Sequence, residues 1–493
     1  MTKVLHPSLY QINTRVWLTA LSEELGRPAT LDDIPDAELD RLARAGFDWI
    51  WFLSVWRTGP ASRRISLENS GWRKEFKDTL PDLRDEDIGG SGFAIVAYSV
   101  AGALGGDAAL ARLRQRLARR GLKLMLDFVP NHMALDHPWV ESHPECFVPG
   151  TEELLAREPQ NYTRIKRGKG DLILAYGRDP YFAGWSDTLQ LDYSNPATQE
   201  AMIRELEKIA DQCDGVRCDM AMLILPEVFE RTWGRKPAPF WPLALQRVRE
   251  RVPGFCFMAE VYWDLEWTMQ QQGFDYTYDK RLYDRLREGH ARPVREHLHA
   301  ALDYQVKLAR FLENHDEPRA AATFEPMVHQ AAAVITYFIP GLRFFHQGQF
   351  EGRKKRISPH LVRAPKESPD EAIGDFYERL LAVLRKPIVR IGEWQSLDCR
   401  PAWDGNGSWD AFIAHAWTGA GNERMLVAVN YASHASQCYI KLPFAEIRNH
   451  SVQLRDLLGP ALYVRDGNEL VERGIYLDLP PWSFHVFSLG IER

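Results

Sequence analysis

The segment Asp107–Val129, DAALARLRQRLARRGLKLMLDFV, holds the unit from which the rest of the chain is read. Ala, Leu and Arg interleave with helical period over Asp107–Arg120, and Leu122–Val129 then follows as a short apolar run. Working outward, the pairing recurs from about residue 10 to 350, with apolar runs at Asp48–Ser54, Gly215–Met220, Phe255–Val261, Leu308–Asn314 and Gly341–His346. Helical stretches such as Pro196–Ala210 lie between them. Such alternation favours a parallel sheet, and the number of units predicts an α/β fold closed as a (β/α)8 TIM barrel rather than an open doubly wound sheet. No GxGxxG follows a strand and opens a helix, which counts against a dinucleotide-binding sheet.

Two regions break the pattern. Residues 131–192 are rich in Pro, Gly and aromatics with little periodicity, and are expected to form a small loop-rich subdomain inserted after the third strand and overhanging the mouth. Beyond residue 390 the runs become short and alternate with period two (AFIAHAW, MLVAVNYA, CYIKLP, IYLDLP, FHVFSL), which predicts an antiparallel β-sandwich. The expected division is therefore 1–130 and 193–389 for the barrel, 131–192 for the insertion and 390–493 for the C-terminal domain.

Composition narrows the class. The 493 residues are 45% hydrophobic and 26% charged, an ordinary globular balance. The formal charge is -6 and no basic run suggests a nucleic-acid or anionic-membrane footprint, so neither is expected as partner. MTKVLHPSLYQINTRVW has no apolar signal core and no later stretch suits a membrane span, so a cytoplasmic protein is expected. The six cysteines show no CxxC or zinc-ligand spacing and read as buried thiols.

In such a barrel the carboxyl ends of the strands share one mouth. Ionisable residues stand inside or at the ends of four runs: Asp127, Arg217 with Asp219, Glu260, and His315 with Asp316. A carboxylate within Cys-Phe-Met-Ala-Glu260-Val is costly unless it has a partner or a task. Glycosidic cleavage needs one carboxyl group that keeps its proton and one that stays ionised, and neighbouring charges separate proton affinities in this way. Arg217 and Asp219, two residues apart on a strand, point to one face. Asp219 is thus the candidate nucleophile, and Glu260, with Met258 and Val261 beside it, the candidate proton donor.

The segments Asp127–His132, Gly215–Asp219, Met258–Trp263 and Glu313–Pro318, in this order, resemble the four sequence regions of the α-amylase family of retaining glycoside hydrolases. The resemblance implies Asp219 as nucleophile, Glu260 as general acid/base and Asp316 as the carboxylate that grips sugar hydroxyls in the transition state. It further implies that Arg217 holds the nucleophile, that His132 and His315 bond the sugar on the non-reducing side, and that Asp127 supports the arginine by a hydrogen bond. Phe93, in a segment similar to the family's aromatic platform, can stack on a sugar face. Of Trp139, Trp185, Tyr262 and Trp263, the last is the expected cleft residue. The segment Glu351–Arg356 after the last strand is a weaker candidate for substrate contact.

Met220–Leu223 stand where many starch-cleaving members carry Lys-His, which shifts the expected substrate to malto-oligosaccharides or another short α-glucoside. Transglycosylation or isomerisation on the same site is the alternative, and a non-catalytic carbohydrate-binding barrel a remote one. No cofactor is expected. Calcium is considered because Asn131 matches a family ligand, with Asp171, Asp179 and Asp187 as available carboxylates. The run Arg164–Gly170 is expected to be a solvated loop tip.

Overall fold

The computed structural model describes residues 4–168 and 170–491, so Lys169 in the Arg164–Gly170 run lies outside the described residues. Eight parallel strands form a closed barrel: β1 (Ser8–Asn13), β2 (Trp49–Leu53), β3 (Lys123–Phe128), β4 (Gly215–Cys218), β5 (Cys256–Ala259), β6 (Tyr276–Tyr278), β7 (Leu308–Arg310) and β8 (Leu342–His346). They pair in chain order, and β8 closes on β1 with Gln11 opposite His346. Strands buried on both faces need no polar alternation, which is why β2 (WIWFL) and β8 (LRFFH) read as near-continuous apolar runs. β1 and β6 have no counterpart among the six runs. β1 carries Ser8, Gln11 and Asn13 into buried positions, and β6 is too short to stand out.

The inserted segment differs from the loop-rich expectation. It folds around a four-stranded antiparallel sheet in the order His132–Ala134, Trp185–Gln190, Leu172–Gly177, Tyr162–Ile165. Its strands are short, and the pairing shifts register between Tyr176 and Gly177, so no clean alternation marks them in sequence. A second excursion leaves the barrel between β2 and β3. It holds the hairpin Trp56–Thr58/Ile95–Val100 and the helices Pro60–Glu68 and Ser70–Thr79.

The C-terminal region has antiparallel sheets of six and three strands that share an apolar core including Phe412, Leu426, Phe487, Ile440 and Leu477. It is bound to the barrel by Trp417 Nε1, which donates to Phe338 O at 2.8 Å, and by Tyr431 Oη, which donates to Leu286 O at 2.7 Å. All six cysteines are free and buried. Among the described residues no helix is long and apolar enough to cross a membrane.

Gly341 turns the chain into β8 at φ 120°, and a Cβ there would lie 2.3 Å from Leu308 O on the neighbouring strand. Gly341→Ala should therefore lower stability by about 2 kcal/mol or more, measured as a fall in the urea midpoint without change in slope.

Candidate active site

Asp219 and Glu260 each stand one residue beyond the last paired residues of their strands, Cys218 and Ala259, which face each other across the β4–β5 ladder. The ladder continues through them. Asp219 N donates to Phe128 O at 2.8 Å and Glu260 N to Cys218 O at 3.0 Å. The backbone thereby brings two carboxylates to adjacent positions on the barrel rim, both buried.

Arg217, one turn of the pleat below Asp219, answers both charges and is fully buried itself. Its Nη1 donates to Asp219 Oδ1 at 2.6 Å, its Nη2 lies 2.6 Å from Glu260 Oε2, and the same Nη2 is 3.9 Å from Asp316 Oδ2. Nε donates to Tyr278 Oη on β6 at 3.3 Å, and the rings of Trp51 and Phe93 each lie 5.4 Å from the guanidinium carbon. Burial alone would lower the affinity of Arg217 for its proton, but Glu260, Tyr278, Asp219 and Asp316 together raise it well above the usual range. Removing this side chain would leave buried carboxylates without counter-charge, which costs about 3–5 kcal/mol.

Burial pushes the Glu260 carboxyl up to about 8, opposed by Arg217 and reinforced by Asp219 and Asp316. Tyr262 Oη donates to Glu260 Oε1 and Met220 N to Oε2, each at 2.7 Å. Met220 adopts a left-handed backbone, φ 43°, to aim that N–H at the carboxylate. Glu260 is thus the group kept protonated near neutral pH beside a partner held by arginine.

Asp316 is the exposed member, its side chain 40% accessible at the mouth. Asn314 Oδ1 accepts from the backbone N–H groups of Asp316 and Glu317, each at 2.9 Å, and shapes the turn. His315, buried behind it, receives a hydrogen bond at Nδ1 from Gln11 Nε2 at 2.8 Å, which leaves Nε2 facing the site 3.1 Å from Asp316 Oδ2. Phe93 stacks on the His315 ring with centroids 5.5 Å apart. His132 leads the first strand of the inserted sheet and meets Trp185 edge to face at 5.2 Å. Burial lowers the proton affinity of both histidines, that of His315 to about 4, so both are neutral hydrogen-bonding groups at neutral pH.

A cleft of about 340 Å³ opens over this cluster. Its lining includes Asp219, Glu260, Asp316, His132 and Phe93, joined by Trp185, Tyr262, Trp72 and His360. Three expectations need correction. Asp127 makes no hydrogen bond to Arg217: its carboxylate accepts from Trp51 Nε1 at 3.0 Å and Ser54 N at 2.9 Å, and so anchors β2 to β3 beneath the arginine. Trp263 does not line the cleft. Its backbone turns left-handed (φ 64°), and its ring packs edge to face on Tyr181 at the rim, while Tyr262 takes the inward place. None of Glu351–Arg356 lines the cleft: Arg356 pairs with Glu75 and touches the site only through the Asp316 carbonyl, to which its Nη1 donates at 3.4 Å, and Lys355 Nζ donates to Asp78 O. Nothing in the sequence marks Gln11, Trp72 and His360 for the site: Trp72 reads as the apolar face of a helix with Phe76 and Leu80, while Gln11 lies on a polar strand and His360 on a loop.

Calcium is the metal that the resemblance raises, and the donors present do not fit it. Gln190 Nε2 donates to Asn131 Oδ1 and Asn131 O, each at 3.0 Å, and to Leu191 O at 3.1 Å. An uncharged amide thus occupies the point where these oxygens converge, whereas a calcium ion needs six or more oxygen ligands there. Asp187 accepts from Ser62 Oγ at 2.7 Å, Asp179 from the N–H groups of Tyr181 and Phe182, and Asp171 is exposed. Among the described residues no group of three or more His, Cys, Asp or Glu side chains gathers as a metal site.

Residues 38–368 match the family model described as "Alpha amylase, catalytic domain". "Alpha-amylase MalA" of Haloarcula japonica is 24% identical over 344 residues, which are 68% of this chain and 47% of that protein. "Alpha-amylase 3" of Dictyoglomus thermophilum is 22% identical over 283 residues, 52% of this chain and 53% of that protein. The chain spans about half the length of these curated relatives. In fold it is similar to the maltogenic α-amylase AmyB of Thermotoga neapolitana, with a TM-score of 0.69 at 19% identity over 98% of each chain.

Two measurements check the site. If Glu260 must carry a proton, kcat/KM falls as pH rises through about 8. The Tyr262 hydroxyl stabilises the Glu260 anion, so Tyr262→Phe should move that alkaline limb to higher pH; an unmoved limb would assign it to another group. Treatment with a calcium chelator should leave the melting temperature unchanged, because a lost ligand of the folded state would lower it.

Proposed function

The chain belongs to the α-amylase family, and from that premise we propose that it is a retaining glycosidase acting on α-glucosidic bonds of malto-oligosaccharides or other short α-glucosides. The single observation that carries the reading is Arg217, whose two terminal nitrogens engage Asp219 and Glu260 at 2.6 Å each beneath one cleft. Anchoring both carboxylates on one guanidinium favours the shorter of the separations known for such pairs, about 5–5.5 Å, at which one of them attacks directly.

In this reading Asp219 attacks the anomeric carbon while the bond from that carbon to the leaving oxygen breaks, and Glu260 transfers its proton to that oxygen. Arg217 Nη1 fixes Asp219 Oδ1 at 2.6 Å for the attack, and burial keeps Glu260 protonated for the transfer. Glu260, now an anion, takes a proton from water as the water attacks the same carbon and releases Asp219. Two inversions give net retention. Asp316, with His315 at its side, hydrogen-bonds hydroxyls of the ring flattened in the transition state, and His132 holds the ring from the inserted sheet. Phe93 supports an apolar sugar face, though without a hydroxyl it donates no hydrogen bond. The carboxylate trio being intact, catalysis is favoured over a binding barrel.

Asp219→Asn should reduce turnover of aryl α-glucosides by roughly 10³-fold or more, with the fold retained by circular dichroism. Proton NMR of the wild-type reaction should show the α-anomer first. With maltoheptaose, products longer than the input would instead assign the second step to a sugar acceptor.

A further inference from the structure

The β2–β3 excursion and the loop after β8, distant in sequence, are latched together over one side of the cleft. Ile88 bridges Leu361 in an antiparallel pair, Gly89 N donates to His360 O at 2.8 Å, and Val362 N donates to Asp87 O at 2.9 Å. Arg363 Nε binds Asp87 Oδ1 at 2.7 Å, Arg356 pairs with Glu75, and Arg15 donates to both Gly90 O and Pro359 O. Beneath these polar contacts Phe76, Leu80, Ile88 and Leu361 form a small apolar core of their own. This much interlocking describes a fixed wall rather than a mobile lid.

The inner face of that wall is Trp72 and His360. Their ring centroids are 4.6 Å apart, and both line the cleft with Pro359. Ser66 Oγ engages His360 Nδ1 at 2.8 Å and fixes the imidazole, while Nε2 has no protein partner among the described residues. Because strands pair in chain order, β8 lies across the ring from β4 and β2 from β6, so the loops after β2 and β8, which flank β1, together face the end of β5. The wall therefore stands opposite Glu260, on the side where the sugar that Asp219 attacks must lie. The opposite rim is open and aromatic: Tyr181 is 58% and Phe182 72% exposed, with Trp263 against Tyr181. A volume of about 340 Å³ lies at the small end of ligand pockets, which run from about 300 to 1,000 Å³.

From this geometry, and resting on the function proposed above, we infer that the cleft is a blind pocket for one terminal sugar. Trp72 and His360 close it, and the chain acts in exo fashion, removing one unit from the non-reducing end. A ring carrying a further sugar on its far hydroxyls meets the Trp72–His360 wall, whereas a terminal ring offers a hydroxyl to His360 Nε2. The leaving portion extends over the Tyr181–Trp263 rim, so its length matters less.

The test uses p-nitrophenyl α-glycosides of one and seven glucose units, each with O4 and O6 of the terminal ring either free or bridged by an ethylidene group, with products resolved by chromatography. The wild-type protein should shorten the free-ended chain one unit at a time and process capped substrates at a rate lower by roughly 100-fold or more, the scale of discrimination a packed pocket provides. Trp72→Gly and, separately, His360→Ala should each raise the ratio of capped to free turnover. Internal cleavage of capped and free chains at similar rates would overturn the blind pocket and leave the glycosidase reading standing. No turnover of any α-glucoside would overturn both.

Discussion

One buried cation organises this molecule. Arg217 sits at the centre of the barrel mouth with Asp219, Glu260 and Asp316 around it, and aromatic faces of Trp51, Phe93 and Tyr278 closing its flanks. Carboxylates desolvated together at such a rim repel each other, and without a shared counter-charge they would take up protons or push the loops apart. With it they are gathered on one guanidinium. Asp219 receives its own guanidinium nitrogen, while Glu260 shares its nitrogen with Asp316, and burial wins over attraction at Glu260, whose carboxyl is pushed up. The placement of the acids follows from where one arginine points.

The barrel supplies the placement at little cost. Register between β3, β4 and β5 sets Asp219 and Glu260 side by side, and the hydrogen-bond ladder continues through their backbone nitrogens. Support below is equally direct, since Asp127 ties Trp51 and the turn at Ser54 to β3. Strain collects where the ladder ends: Ser54, Met220, Trp263 and Asp264 all have positive φ without being glycine. Each costs of the order of 1–3 kcal/mol, offset by the packing around it, and at Ser54 and Met220 the turn aims a backbone N–H at a carboxylate, Asp127 and Glu260 respectively. The Met220 N–H directed at Glu260 shows the return most plainly.

Specificity belongs to different parts of the chain from chemistry. Asp219 and Glu260 stand just beyond strand ends and Asp316 on the loop after β7, but the walls of the cleft come from the inserted sheet, the β2–β3 excursion and the loop after β8. Gln190 shows how such an insertion can be stapled by a neutral side chain, its amide gathering three backbone and side-chain oxygens at the root of the insertion. The same barrel can accept other walls without disturbing Arg217, which is how one arrangement of acids serves many substrates.

Much of this was legible in the chain itself. Six of the eight barrel strands are apolar enough to be recognised, as their burial in the barrel requires, and a carboxylate within such a run announces itself by its cost. Asp219, Glu260, Asp316, Arg217, His132, His315 and Phe93 were all named on that basis or by resemblance, and all surround Arg217 or the cleft above it. Strands β1 and β6 were not legible, because one is polar and the other three residues long. Alternation counted from Glu260 places Tyr262 inward and Trp263 outward, and the left-handed turn at Trp263 then carries its ring to Tyr181 at the rim. The partner of Asp127, the convergence of Asn131 and Leu191 oxygens on Gln190 and the meeting of Trp72 with His360 depend on contacts between segments up to about three hundred residues apart. Local sequence specifies which residues are costly to bury; only the closed fold decides which of them meet.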